Sequence, residues 1–238
     1  MLLYYVRHAE SQNNALYKKT GSFSGRSEDA PLTETGRKQL PHLARFMNKE
    51  LEQVQADGRG GNRKVPVTLY CSLMERTVAT ASAIAEKSQL PLYGFADIHE
   101  VGGVYIKDEE TGERFGMPGK NREFFAKHYP LLHYPGDVSP DGWWNRPHEA
   151  REERPERAKR VLEKIKAHHK NQDEVVILVS HGSFFNYIAR QILGMPDDAP
   201  VWLEMMNTAV SLFDFRDDHI YVPFINRHHF LPPELITQ

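Results

Sequence analysis

The chain has 238 residues, 40% of them hydrophobic, enough to bury a core as one large domain or one domain with an inserted cap. A formal net charge of -2 gives no general pull toward nucleic acid or an anionic membrane, so a small anionic substrate would need a local basic pocket. The single cysteine, Cys71, excludes an internal disulfide and any paired-cysteine metal site, in keeping with a reducing compartment.

Residues 2–6 are an apolar run with aromatic and β-branched side chains, the pattern of a strand, and the run stops at Arg7 and His8. In open α/β sheets ligands bind beyond the carboxyl ends of the strands, so both residues stand where chemistry is expected. The run is too short for a signal peptide or a membrane span, and no later run is longer; a soluble, cytoplasmic protein is expected.

A short helix over 14–19 and a polar loop over 20–31 come next. Thr33 is the expected N-cap of a long helix with Leu40, Leu43, Met47, Leu51 and Val54 on one face. Residues 57–64, with three glycines, make an exposed turn before a strand over 67–71. Ser72 and Glu75 have capping-box spacing, which would place Arg76 in the first helical turn beyond that strand. The helix turns Val78, Ala81, Ile84 and Ala85 inward, and a weak strand over 91–95 leads to His99 and Glu100.

Residues 104–148 break the alternation and read as a cap or an active-site loop region, with Trp143 and Trp144 as packing or a cap wall. A helix then starts near Pro155 and buries Ala158, Val161, Leu162 and Ile165. The strand over 175–179 runs into Ser180-His181-Gly182, repeating the build of the first strand, and a helix over 183–193 follows. Strands over 210–215 and 220–222 flank the turn Arg216-Asp217-Asp218, and Pro223 puts the second at an edge or at its end. His168-His169 and His228-His229 read as solvated helix ends, since adjacent histidines on a helix point apart and no carboxylate spacing completes a metal site.

Five polar groups thus gather at strand ends: Arg7, His8, Arg76, Glu100 and His181. Arginines bind phosphate in a bidentate way, and the helix N-terminus at Gly182 offers backbone N–H groups to the same anion. A histidine can attack phosphorus and a carboxylic acid can protonate the leaving oxygen. The set points to metal-independent phosphoryl transfer through a phosphohistidine, without a cofactor. His99, Asp97, Asp108 and Glu109 are neighbouring alternatives to Glu100, and Asn14 and Ser24 either cap local structure or touch substrate. Lys107, Arg114, Lys120 and Arg122 would favour a second phosphate or a carboxylate if they face the pocket.

At these residues the sequence resembles the histidine phosphatase superfamily, which contains the cofactor-dependent phosphoglycerate mutases and many phosphatases. The family's arginine-histidine-glycine-glutamate signature stands here as Arg7-His8-Ala9-Glu10, with alanine in place of the usual glycine and Asn14 where asparagine is common. Phe23-Ser24-Gly25 is similar to the mutases' substrate loop, although its spacing to Leu32-Thr33 is one residue longer. The likeness continues through Ser72-Leu73-Met74-Glu75-Arg76-Thr77, Glu100, Ser180-His181-Gly182 and Asn207-Thr208.

The resemblance implies an α/β fold: a phosphoglycerate mutase-like three-layer α/β/α sandwich with a mostly parallel central sheet. Residues 1–238 would form a single domain, with a cap-like insertion at about 101–150. It implies His8 as the nucleophile, with Arg7, Arg76 and His181 clamping the phosphoryl oxygens. Glu100 would be the acid and then the base, with Asn14, Ser24, Gly25 and Gly182 helping to hold the phosphate or substrate. The expected partner is a small phosphorylated metabolite, with a homodimer left open. A mutase would carry a paired-arginine segment after the catalytic glutamate; none occurs between 101 and 150, which favours a phosphatase. A protein phosphatase or a non-catalytic scaffold of the same fold are further alternatives.

Overall fold

The computed structural model describes residues 1–57, 63–169 and 173–238. Its first half contains β1 (Leu2–Arg7), α1 (Gln12–Thr20), α2 (Glu34–Ala56), β2 (Val67–Cys71), α3 (Glu75–Ser88) and β3 (Leu92–Gly94). The region that breaks the alternation holds β4 (Tyr105–Lys107), β5 (Arg114–Gly116), α4 (Arg122–His128) and β6 (Leu132–His133). The chain then forms α5 (Glu153–His168), β7 (Val175–Ser180), α6 (Gly182–Leu193), β8 (Val210–Phe215) and β9 (Ile220–Arg227).

Seven strands make one sheet in the order β6-β3-β2-β7-β1-β8-β9, parallel from β6 through β1 and antiparallel over the last two. The central strands are continuously apolar because helices cover both faces. Leu2, Tyr4 and Val6 point into a core with Leu43, Met47, Leu51 and Val54 of α2 and with Val78, Ala81, Ile84 and Ala85 of α3. Leu3 and Tyr5 point the other way, toward Ala158, Val161, Leu162 and Ile165 of α5 and Phe184, Phe185 and Ile188 of α6. The expected three-layer sandwich is therefore present. β9 is an edge strand, where Pro223 costs no ladder bond to a further strand.

The register sets the site. β7 pairs with β1 on one side (Arg7 opposite Ser180) and with β2 on the other (Cys71 opposite Val179). All three strands end level, which brings His8, Ser72 and His181 to one rim.

Several local expectations are corrected. α3 has Met74 as its N-cap with no side-chain cap, so Ser72 and Glu75 do not form a capping box. The Glu75 amide donates instead to buried Asp29, at 3.0 Å. His169 is not a solvated helix end: its Nδ1 lies 2.9 Å from Glu174 Oε2 and its Nε2 3.1 Å from the Tyr70 hydroxyl. His228 and His229 follow strand β9 rather than a helix. Trp143 and Trp144, by contrast, pack as expected, buried in the core that includes α2 and α3. The turn expected over 57–64 falls mainly on 58–62, outside the described residues. Among those described, no helix is long and apolar enough to cross a membrane, and no cluster of three or more His, Cys, Asp or Glu could hold a metal ion.

Candidate active site

His8 sits one residue past β1 and is 3% exposed. Its Nδ1 is 2.7 Å from the carbonyl of Ala9, and a carbonyl only accepts, so Nδ1 carries the proton. Nε2 accepts from Arg76 Nε at 3.1 Å. The tautomer expected of an attacking histidine is therefore imposed by two neighbours. Burial, then the charges of Arg76 and Arg7, hold the imidazole well below the usual histidine range, so it is neutral near pH 7.

Arg76 also reaches the second histidine. Its Nη2 is 3.2 Å from His181 Nδ1, which must accept, and His181 Nε2 then donates to Ser72 Oγ at 3.0 Å. Burial foremost, with Arg76 and His8 adding to it, lowers the pKa of His181 well below its ordinary value. Arg76 is anchored from behind by Asp29, whose Oδ1 stands 3.9 Å from Nη1. Burial pushes the Asp29 carboxyl up to about 6, against the pull of Arg76.

Arg7 completes the cationic wall. Its Nη1 donates to the carbonyl of Met205, while burial lowers its pKa to about 10. A Cβ on Gly182 would come 3.2 Å from Arg7 Nε, so glycine at the start of α6 lets the guanidinium lie against the backbone. Arg7 Nε is a buried donor with no acceptor among the described residues, and Arg76 Nη1 has only its 3.9 Å ion pair with Asp29 and no hydrogen bond. Such orphaned donors are costly, and an oxyanion would satisfy them.

Glu100 lies at the same rim. Its Oε1 accepts from the amides of Val101 at 2.9 Å and Phe184 at 3.0 Å, and its Oε2 from that of Ser183 at 3.4 Å. The carboxylate thus sits on the first turn of α6, where the helix dipole favours a negative charge.

The structure brings Arg7, His8, Arg76, Glu100, His181 and Gly182 together. Asn14 has a capping role: its Oδ1 accepts from the Ser11 amide at 3.1 Å and the Ser11 hydroxyl at 2.7 Å, closing the box that starts α1. Ser24 and Gly25 lie in an exposed loop with no bond to the other site residues.

With this geometry in view, the comparisons are direct. The model of the histidine phosphatase superfamily (branch 1) matches residues 3–228. The chain belongs to the histidine phosphatase superfamily. No curated protein matches significantly. Among solved structures, alpha-ribazole phosphatase from Shigella flexneri is similar at 19% identity and a TM-score of 0.60, over 95% of this chain and 96% of that one. A mycobacterial glucosyl-3-phosphoglycerate phosphatase matches at 16% identity and a TM-score of 0.58, over 94% and 98% of the two chains. A phosphoserine phosphatase from Entamoeba histolytica matches at 19% and 0.54, over 97% and 99%. At these identities the likeness is one of fold. Phosphatase is the activity that the family description and all three structures carry by name, in line with the enzyme class expected from the sequence.

Within this histidine phosphatase, sequence reasoning missed several supports of the site. Asp29 was hidden in a polar loop, and its place three residues before Leu32-Thr33 is the only local signal. The Tyr5 hydroxyl lies 2.8 Å from Ser180 Oγ and 2.9 Å from the His181 carbonyl and shares its one proton between them, yet the residue reads in sequence as one more apolar strand position. Asn207 Nδ2 holds the His8 carbonyl at 3.2 Å. Glu149 and Arg157 form a buried pair beside Glu100 that no spacing announced.

Proposed function

We propose that this protein is a metal-independent phosphomonoester phosphatase that acts through a phosphohistidine on a small phosphorylated metabolite. The observation that carries this reading is the imidazole of His8, neutral and protonated at Nδ1, in a pocket where buried arginine donors lack a hydrogen-bond acceptor. A site of this charge is built to receive a phosphate dianion.

In the first step the His8 Nε2 lone pair attacks phosphorus and the bond to the ester oxygen breaks. Glu100 delivers to the leaving alkoxide a proton that its carboxylate takes up from solvent as the substrate binds. Arg7 and Arg76 hold the phosphoryl oxygens, His181 joins them once Arg76 turns to the phosphate and the His181 proton moves to Nδ1, and the Ala9 carbonyl balances the growing charge on the imidazolium through Nδ1–H. In the second step Glu100, now a carboxylate, takes a proton from water, the water oxygen bonds to phosphorus, and the P–N bond breaks to return neutral His8 and orthophosphate. Positioning and charge neutralisation supply most of the acceleration. Asn14 and the Ser24-Gly25 loop would meet the phosphate and the rest of the substrate.

The reading is tested with a labelled phosphomonoester panel in excess chelator, quenched in alkali to preserve a phosphoramidate. Release of phosphate, with label on His8 and its loss in His8→Ala, is the expected result. Transfer between phosphoglycerates without release would make the protein a mutase instead, and turnover by His8→Ala at the parent rate would end the phosphohistidine reading.

A further inference from the structure

A second cationic cluster lies beside the phosphate cradle, gathered on one tyrosine. Arg26 Nη1 donates to the Tyr105 hydroxyl at 2.7 Å, and its guanidinium carbon is 4.3 Å from that ring's centroid. The guanidinium carbon of Arg114 is 5.8 Å from the same centroid, and its Nη1 is 3.4 Å from His148 Nε2. His148 in turn meets Tyr105 edge-on at 4.6 Å.

Two contacts tie this cluster to the chemistry. A Cβ on Gly102 would come 2.8 Å from Tyr105 Cε1 and 2.9 Å from His148 Nε2, so both rings rest on backbone two residues past Glu100. Arg26 is also close enough to Arg76 that its charge, behind the larger effect of burial, lowers the pKa of that guanidinium. The cluster therefore borders both the proposed acid and the phosphate clamp.

What makes it a site is that its charge is unbalanced. Among the described residues neither Arg26 nor Arg114 pairs with a carboxylate, and Arg26 Nε is a buried donor without an acceptor. Two of the other cations expected over the pocket have partners of their own. Lys120 pairs with Glu75 at 3.8 Å, and Arg122 packs on Tyr134. One acid of the β4–β5 turn, Asp108, is turned onto the amides of Glu110 and Thr111. Two guanidiniums sharing one ring repel each other, and an anion between or across them removes that cost.

We propose that Arg26 and Arg114 form a second anion site, and that the substrate is a phosphomonoester carrying another anionic group, a carboxylate or a phosphate. This rests on the phosphatase reading of the cradle. The cradle takes the phosphoryl group to be cleaved, and the Tyr105 cluster holds the far anion and orients the ester.

Calorimetry on His8→Ala protein reads binding without turnover. Two ligand pairs are compared: glycerol 3-phosphate against 3-phosphoglycerate, which differ by a carboxylate, and fructose 6-phosphate against fructose 1,6-bisphosphate, which differ by a second phosphate. In at least one pair the member with the added anion is expected to bind about tenfold tighter, the scale of one charge-assisted contact. The pair that shows it names the anion, and adding Arg26→Met or Arg114→Met should remove the difference. Equal affinities within both pairs, no binding by any of the four, or a preference that survives both substitutions would overturn the second anion site. Phosphate release by the parent protein is read in parallel. If it fails, the phosphatase reading falls, while the binding ratios still decide for or against the Tyr105 cluster.

Discussion

Arg76 Nε stands 3.1 Å from His8 Nε2, so the guanidinium occupies the lone pair that attacks phosphorus in the proposed mechanism. The same guanidinium binds His181 Nδ1 at 3.2 Å. An arriving phosphate oxygen competes with both imidazoles for these donors. As it takes them, Nε2 is released within reach of the phosphorus. In the proposed mechanism substrate binding and activation of the nucleophile would thus be one event, with the resting contact holding a neutral histidine until then.

Arg76→Lys tests this coupling. An ammonium group keeps the charge but cannot present a planar fork to two imidazoles and an oxyanion at once. We expect kcat to fall by roughly 10²-fold or more, the scale of losing one preorganised donor. Ring nitrogen NMR of the parent at pH 7 should show His8 protonated at Nδ1 alone. A lysine variant with the parent kcat would remove Arg76 from the mechanism.

Acid should unfold this protein early, because three histidines are buried in a neutral form. His8, His99 and His181 are all held well below the ordinary value, in each case chiefly by burial. In the unfolded chain each takes a proton below about pH 6.5, so there the unfolded state binds more protons and stability falls as pH falls. Asp29 works the other way. Its carboxyl is raised to about 6 by burial, so the folded chain holds an extra proton as pH drops from about 6 to about 4, the unfolded value, and recovers some stability. The net slope is at most about 3 kcal/mol per pH unit in that window, since each group contributes about 1.4. Urea midpoints should be level between pH 7 and 8 and drop clearly by pH 5. A midpoint at pH 5 equal to that at pH 7 would contradict the buried neutral histidines.

The core of this site was legible because parallel topology does most of the placing. A strand that stops at Arg7-His8, one that stops at Ser180-His181 and a helix that opens with Arg76 can only converge if the three strands are neighbours, and β2-β7-β1 are. The supports were not legible. Asp29 and Glu149 act across long sequence separations from loops, where no period marks a buried acid. Ser72 fits a capping box on spacing alone, but its hydroxyl faces His181 instead. The cationic cluster was half visible: Arg114 was singled out, whereas Arg26 lay in a polar loop that gave no sign of folding back onto Tyr105.

Asp29→Asn probes the support behind Arg76. Asparagine keeps the shape and can still accept from the Glu75 amide, but it removes the charge that faces Arg76 Nη1. With the carboxyl at about 6, the parent loses this charge as pH falls through 6, so its kcat/KM should rise with pH across that value. In the Asn variant that rise should vanish, leaving a plateau about tenfold below the parent's neutral-pH value, the scale of one weakened charge contact. A variant that keeps the parent's pH profile would show that Asp29 only packs.

Glu149 and Arg157 make the sharpest test of how Glu100 is aimed. The pair is buried, with side chains 6% and 4% exposed, and holds both ends of the segment that carries Glu100. Arg157 Nη1 donates to the carbonyls of Asp97 at 2.8 Å and His99 at 3.0 Å, while Glu149 Oε2 accepts from the Gly102 amide at 3.0 Å. Breaking one half leaves a buried charge alone, so Glu149→Gln should cost about 3–5 kcal/mol in urea unfolding. Replacing both halves by apolar residues, as in Glu149→Leu with Arg157→Met, removes the stranded charge and should restore much of the stability. It cannot restore the bonds to Asp97, His99 and Gly102. The double variant is therefore expected to be stable yet slow, with kcat lowered more than KM is raised, because Glu100 has lost its aim while the phosphate clamp is intact. Parental kcat in a stable double variant would mean that Glu100 is held by the α6 amides alone and that the buried pair serves only the fold.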